Sequence, residues 1–315
     1  MNRWLTWTLL ALSLLLHGCA STLQEKDALV ATPYRVADNG LIVVQAHIDG
    51  RGPYRFALDT GASISVLLDV VGDELGLTDV PGETVVIHGL VASGIYPLLE
   101  IAQVGLGDED WINARFAVVP GRADSRDHFD GILGIDYLQR YAVGFSVTDQ
   151  VLRLYSPDAV AKRSYKGWTP IPIEPAPVGD SGASLYFLSA SIDGQSVRAL
   201  FDLGAGRNIM NWQAASALNS NVSKAAAEER LSGVLDSAPI LAWFRAGEVT
   251  TARVRWQDET FVIADLDIFA AIMRGDSPFL VLGAGLFGQR DFIIDFARQR
   301  LLVRVSMDEL AEPLP

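Results

Sequence analysis

The sequence predicts a mostly β chain built as two related lobes, and three observations lead there. Ile48-Asp49-Gly50 returns 144 residues later as Ile192-Asp193-Gly194, and the following Arg55-Phe56-Ala57-Leu58-Asp59-Thr60-Gly61-Ala62 returns 143 residues later as Arg198-Ala199-Leu200-Phe201-Asp202-Leu203-Gly204-Ala205. Gly131-Ile132-Leu133-Gly134 returns at an offset of 149 as Leu280-Val281-Leu282-Gly283, and that match continues without a gap to Val151-Leu152-Arg153-Leu154 against Arg300-Leu301-Leu302-Val303. Most of what lies between reads as short apolar strands separated by turn residues. A period this long excludes a solenoid of small repeats.

Composition bounds the problem. The chain has 315 residues, of which 50% are hydrophobic and 20% charged, enough for two globular cores. Its formal net charge of -13 argues against a nucleic-acid partner, which needs clustered Lys and Arg.

In chain order, Arg3, an apolar run over residues 4–16 and Leu16-His17-Gly18-Cys19 form a targeting segment with a small-residue cleavage site. The run is too short for a comfortable membrane span. Cys19, the single cysteine, follows Gly18 in a pattern that resembles the lipobox of bacterial lipoproteins. The resemblance implies cleavage before Cys19, lipidation there, and a mature chain held at the cell envelope by a lipid anchor. Ala20 follows, where an inner-membrane retention Asp would sit, which favours the periplasmic face of the outer membrane. The expected organisation is a signal peptide (1–18), a lipidated tether (19–33), a first lobe (34–156), a linker (157–180), a second lobe (181–306) and a tail (307–315).

In the first lobe, residues 41–48 and 54–58 are strands joined by the Asp49-Gly50 turn, and 66–77 carries a helical apolar stripe ending at Gly76. Residues 84–87 and 95–98 form a hairpin whose tip holds His88, Gly89 and Gly94, followed by strands at 101–106 and 114–119. The five prolines within residues 156–177 give that stretch a linker composition. In the second lobe, 185–192 and 197–201 frame Asp193-Gly194, residues 211–218 and 223–231 are candidate helices, and 246–256 with 259–264 are paired strands. Residues 293–305 close the chain as two strands around a turn.

An apolar-Asp-Thr-Gly-Ala-Ser run after a strand, with Ile-Leu-Gly about 75 residues later, resembles a lobe of the retropepsin-type aspartic proteases. With two copies, nearly all of the mature chain is similar to a bilobal, pepsin-like pseudo-dimer of retropepsin-like lobes; the second copy is degenerate. The resemblance implies an aspartic endopeptidase acting on peptides or proteins, with Asp59 and Asp202 as the catalytic pair. Two carboxyls about 3 Å apart cannot both ionise, so they share a proton and their pKa values separate. Gly61 and Gly204 allow the two loops to approach. Thr60, Ala62, Ala205, Gly134 and Gly283 are the implied loop supports, and His88, Gly89 and Gly94 the implied flap, with residues 233–239 as a weaker counterpart. In the family the residue after each Asp reaches across the symmetry axis; Thr60 carries the hydroxyl for this and Leu203 does not. Ala62 and Ala205 replace a hydroxyl that pepsin-like enzymes place near the carboxylates, which predicts activity nearer neutral pH than in gastric enzymes.

Two other readings follow from Leu203. In one, two copies of the first lobe pair in a homodimer instead of a working monomer. In the other, the cleft binds peptides without cutting them, with Asp202 held ionised by Arg207. Asn208 and Arg207 are the polar groups nearest in sequence that could compensate for the missing hydroxyl. No cofactor is expected. Gly283-Ala284-Gly285-Leu286-Phe287-Gly288 fits a dinucleotide pattern, but only 27 residues remain, too few for the fold that motif needs. With His47, His88 and His128 the histidines left after signal cleavage, neither a serine triad nor a zinc site is supported.

Overall fold

A computed structural model describes residues 27–88, 90–91, 93–121, 128–161, 165–177, 184–218, 222–273 and 277–306. Cys19 and Gly89 lie outside the described residues. The protein is mostly β and each lobe is built the same way, as the repeat requires.

Each lobe starts with a hairpin. Strands Ile42–Ile48 and Arg51–Leu58 pair antiparallel, as do Ser184–Ile192 and Gln195–Asp202. The turns between them have positive φ at both central residues, 48° and 73° at Asp49 and Gly50, 48° and 83° at Asp193 and Gly194. This is the turn type whose twist matches the flanking strands, and Asp-Gly is its preferred pair. A strand from much later in the chain then inserts beside each aspartate-bearing strand. Gly131–Leu133 runs parallel to Arg51–Leu58, with Leu58 opposite Leu133, and antiparallel to Val66–Leu68. Leu280–Gly283 does the same between Gln195–Asp202 and Asn208–Met210. These inserted strands are buried on both faces, which is why they read as unbroken apolar runs.

A sheet shared by both lobes joins them. Its order is Trp168–Pro172, Arg300–Arg304, Phe292–Asp295, Ala142–Ser146, Val151–Tyr155 and Val30–Val36. The lobes meet where Phe292–Asp295 pairs with Ala142–Ser146, and there Phe145 and Phe292 stack with centroids 4.4 Å apart at 15°. Asp295, fully buried beside this joint, is held by Arg298 and Arg300, a structural role.

Four expectations change. Residues 66–77 divide into strand Val66–Leu68 and helix Asp69–Leu75, because Val66, Leu67 and Leu68 are all buried between two strands. Gly76 does end the helix, with φ 71°. Residues 223–231 are not helical: Val222–Lys224 pairs with Ala242–Phe244 and Arg230–Ser232 with Ser237–Pro239, sheet pairing overriding an alanine-rich propensity. The proline-rich stretch is largely ordered, with Trp168–Pro172 and Glu174–Pro177 each at a sheet edge, where proline costs no ladder bond. The first strand begins at Val30, inside the expected tether, pairing with Leu154.

Because the joint is a continuous sheet with an aromatic stack at its centre, Phe292→Ala should destabilise the whole molecule by roughly 3–5 kcal/mol. Urea unfolding followed by both fluorescence and circular dichroism should show one transition at lower midpoint; separate transitions for the two lobes would show that the joint does not couple them.

Candidate active site

The inserted strands place the two aspartates. Asp59 follows strand Arg51–Leu58 and its amide donates to the Leu133 carbonyl at 3.0 Å. The chain then turns sharply at Gly134, and the Ile135 amide donates to the Ala62 carbonyl at 2.8 Å. A Cβ on Gly134 would sit 2.7 Å from that carbonyl, so only glycine permits the approach. The second lobe repeats this: the Ala284 amide donates to the Ala205 carbonyl at 2.7 Å, and a Cβ on Gly283 would lie 2.3 Å from it.

Across the joint, each aspartate loop touches the other. A Cβ on Gly204 would fall 2.2 Å from Asp59 Cγ, and one on Gly61 would fall 2.7 Å from Asp202 Cγ. Each carboxyl therefore rests on the opposite glycine. Thr60, fully buried, donates its hydroxyl to the Phe201 carbonyl at 3.0 Å and accepts from the Leu203 amide at 2.9 Å. Leu203, also fully buried, packs into the core and offers nothing in return. The cross-axis grip is made from one side.

Each resting on the other loop's glycine, the two carboxyls are close enough to shift one another's proton affinity. Asp59 Oδ1 also accepts from the Gly61 and Ala62 amides at 2.7 and 2.9 Å, whereas Asp202 Oδ1 accepts from the Gly204 amide at 2.7 Å. Burial pushes Asp59 above the usual carboxylate value, and the Gly61 amide, Asp202 and the Ala62 amide pull it back. Burial, then the charge of Asp59, drive Asp202 well above that value. The pair titrates as a unit, with both carboxyls raised and Asp202 the more strongly. Alanine at 62 and 205 means that no side-chain hydroxyl from these positions reaches either carboxyl.

Around this centre the lobes use different chemistry at matching places. In the first, Ser65 Oγ accepts from the Gly134 amide at 3.0 Å and donates to Asp136 at 2.7 Å, giving Asp136 a structural role. In the second, Asn208 stands where Ser65 would and Gly285 where Asp136 would. Asn208 Oδ1 accepts from the Gly283 amide at 3.1 Å and its amide nitrogen donates to Glu259 at 3.4 Å. Asn208 thus supports the glycine turn and makes no bond to Asp202. Arg207 is exposed and stacks over Trp243 at 5.2 Å; no ion pair between Arg207 and Asp202 occurs among the described residues. Sequence reasoning missed Ser65 and Glu259, although the Ser65 and Asn208 match was available in the repeat.

The expected flap is a hairpin of strands Asp79–His88 and Ser93–Leu106. His88 Nδ1 pairs with Ser93 Oγ at 2.7 Å, and Gly94 leaves room for the Tyr96 ring, which a Cβ would meet at 2.6 Å. Below it a cavity of about 350 Å³ holds Asp59 and Asp202 and extends along apolar walls from Ile132 and Phe129 to Ile240, Phe269 and Phe279. Opposite the flap stands the hairpin Arg230–Ser232 and Ser237–Pro239, the weaker counterpart expected in the second lobe.

Two carboxyls facing one another on Asp-x-Gly loops, at the joint of two matching β lobes, define an aspartic protease with two lobes. The chain belongs to the aspartyl protease family, whose model matches residues 44–137 and 180–286, one stretch in each lobe. Among curated proteins no match is found.

Raised carboxyl pKa values mean that the folded protein binds protons more tightly than the unfolded chain. Stability from this source is full below the ordinary Asp range of about 4 and is lost as pH rises through the raised values. Asp202→Asn removes the loss. The melting temperature of the variant relative to the wild type should rise as pH climbs above the ordinary Asp value of about 4; a difference independent of pH would show that the two carboxyls do not share a proton.

Proposed function

We propose that the protein is an endopeptidase that hydrolyses peptide bonds with water activated between Asp59 and Asp202. The observation that carries this reading is the pair of carboxyls, each set against the other loop's glycine, in a cleft with largely apolar walls. Asp59, with the larger set of backbone donors, is the better anion and takes a proton from water as the water oxygen attacks the peptide carbonyl carbon. Asp202 gives its proton to the carbonyl oxygen. As the tetrahedral intermediate collapses, Asp59 passes its proton to the leaving nitrogen, Asp202 regains one from a hydroxyl, and the C–N bond breaks. An extended peptide in the cleft would be held by strand-like pairing to the flap.

The place that a second copy's Asp59 would take in a homodimer is filled by Asp202 of the same chain. Ionisation of Asp202 by Arg207, which would favour a cleft that binds without cutting, has no support in the position of Arg207 over Trp243.

Asp59→Asn and Asp202→Asn should each reduce peptide cleavage by at least about a thousandfold while leaving the fold intact. Specific activity of the wild type should be constant on dilution, with a pH optimum above about 3. Full activity in the Asp202→Asn variant would sink the intramolecular pair.

A further inference from the structure

The flap tip ends on the opposite lobe. Asp236, in the tip of the second-lobe hairpin, accepts hydrogen bonds from the Leu90 and Val91 amides, both at 2.9 Å. The Ile268 amide reaches the Leu90 carbonyl at 3.5 Å, a weaker contact from a different segment of the same lobe. The Leu90 side chain lines the cavity and packs with the second lobe's apolar cluster, which includes Ile240, Leu266 and Phe269. Gly233 makes this possible, since a Cβ there would lie 2.8 Å from Leu90 Cγ.

One face of the flap's strands, with Val85, Ile87 and Tyr96, packs against the main core, and the other face is open. Val86 and Ile95, opposite one another on its two strands, are 53% and 71% exposed. The position of the tip therefore depends on its contacts with the second lobe. A carboxylate accepting two amide protons forms the stronger kind of hydrogen bond, and both donors come from adjacent residues, as a clamp on the backbone requires.

We propose that Asp236 is a positioning residue that latches the flap shut over Asp59 and Asp202, with Leu90 seated where an apolar substrate side chain would lie. This rests on the cleft being the substrate site. A peptide reaches the carboxyl pair only when Asp236 releases the two amides and Leu90 leaves its seat. The latched population lowers apparent substrate affinity in proportion to how rarely the flap opens. The latch is thus a barrier to casual proteolysis built from one side chain, and it restrains the substrate site without touching the reacting atoms.

The test compares the full chain with Asp236→Ala and Asp236→Asn, by hydrogen exchange and by peptide cleavage. In Asp236→Ala the segment containing Leu90 and Val91 should exchange about tenfold faster, with strand Glu109–Val119 unchanged, and Asp236→Asn, which keeps one acceptor oxygen, should fall between. KM for a peptide substrate should drop several-fold in Asp236→Ala, with kcat altered less than KM. Unchanged exchange in the flap would overturn the latch, and so would a raised or unchanged KM, which would mean that the latch does not oppose binding. If neither wild type nor variant cleaved any peptide, the protease reading would fall while the exchange result would still decide the latch.

Discussion

One hydroxyl holds the centre of this molecule together. Thr60 bonds across the axis from one aspartate loop to the other, and it fixes both the Phe201 carbonyl and the Leu203 amide on either side of Asp202. Two buried backbone groups depend on it, each costing on the order of 1–3 kcal/mol if left unpaired. The glycines opposite the carboxyls, the inserted strands behind them and the stacked Phe145 and Phe292 below all bring the loops close. Thr60 sets their register.

The asymmetry has a chemical use. Both aspartates are half-buried at the cavity wall, yet Asp59 has two backbone donors on one oxygen while Asp202 faces the Asp59 charge. A symmetric pair would divide its proton evenly. Here Asp202, in the second lobe, is raised further than Asp59 in the first. Leu203 exchanges a polar contact for core packing, and Asn208 with Glu259 braces the second glycine turn by other means. The second lobe has lost the motif's letters and kept its shape.

The fold was legible because the repeat reports on both lobes at once, and because Asp49-Gly50 and Asp193-Gly194 demand the same turn. The carboxyl pair was legible for the same reason: Asp59 and Asp202 fall at equal places in the two copies. What stayed hidden depends on distant partners. Nothing local marks Val66–Leu68 as a strand until its neighbours arrive, and the alanine-rich stretch before Arg230 has helical propensity that sheet pairing overrules. Asp236 was invisible for a further reason, since it bonds backbone amides 145 and 146 residues away and leaves no side-chain pattern to recognise. Asn208 was noticed as a group that could replace the missing hydroxyl, and it supports the Gly283 turn instead, because proximity in sequence to Asp202 is not proximity in space.

The central claim is that one proton is shared unequally between Asp59 and Asp202. Carboxyl carbon NMR with labelled aspartate, assigned through the two Asn variants, tests it directly. Two well-separated titration steps, the upper one carried mainly by Asp202, are the predicted result. Two independent titrations near the ordinary Asp value of about 4 would contradict it.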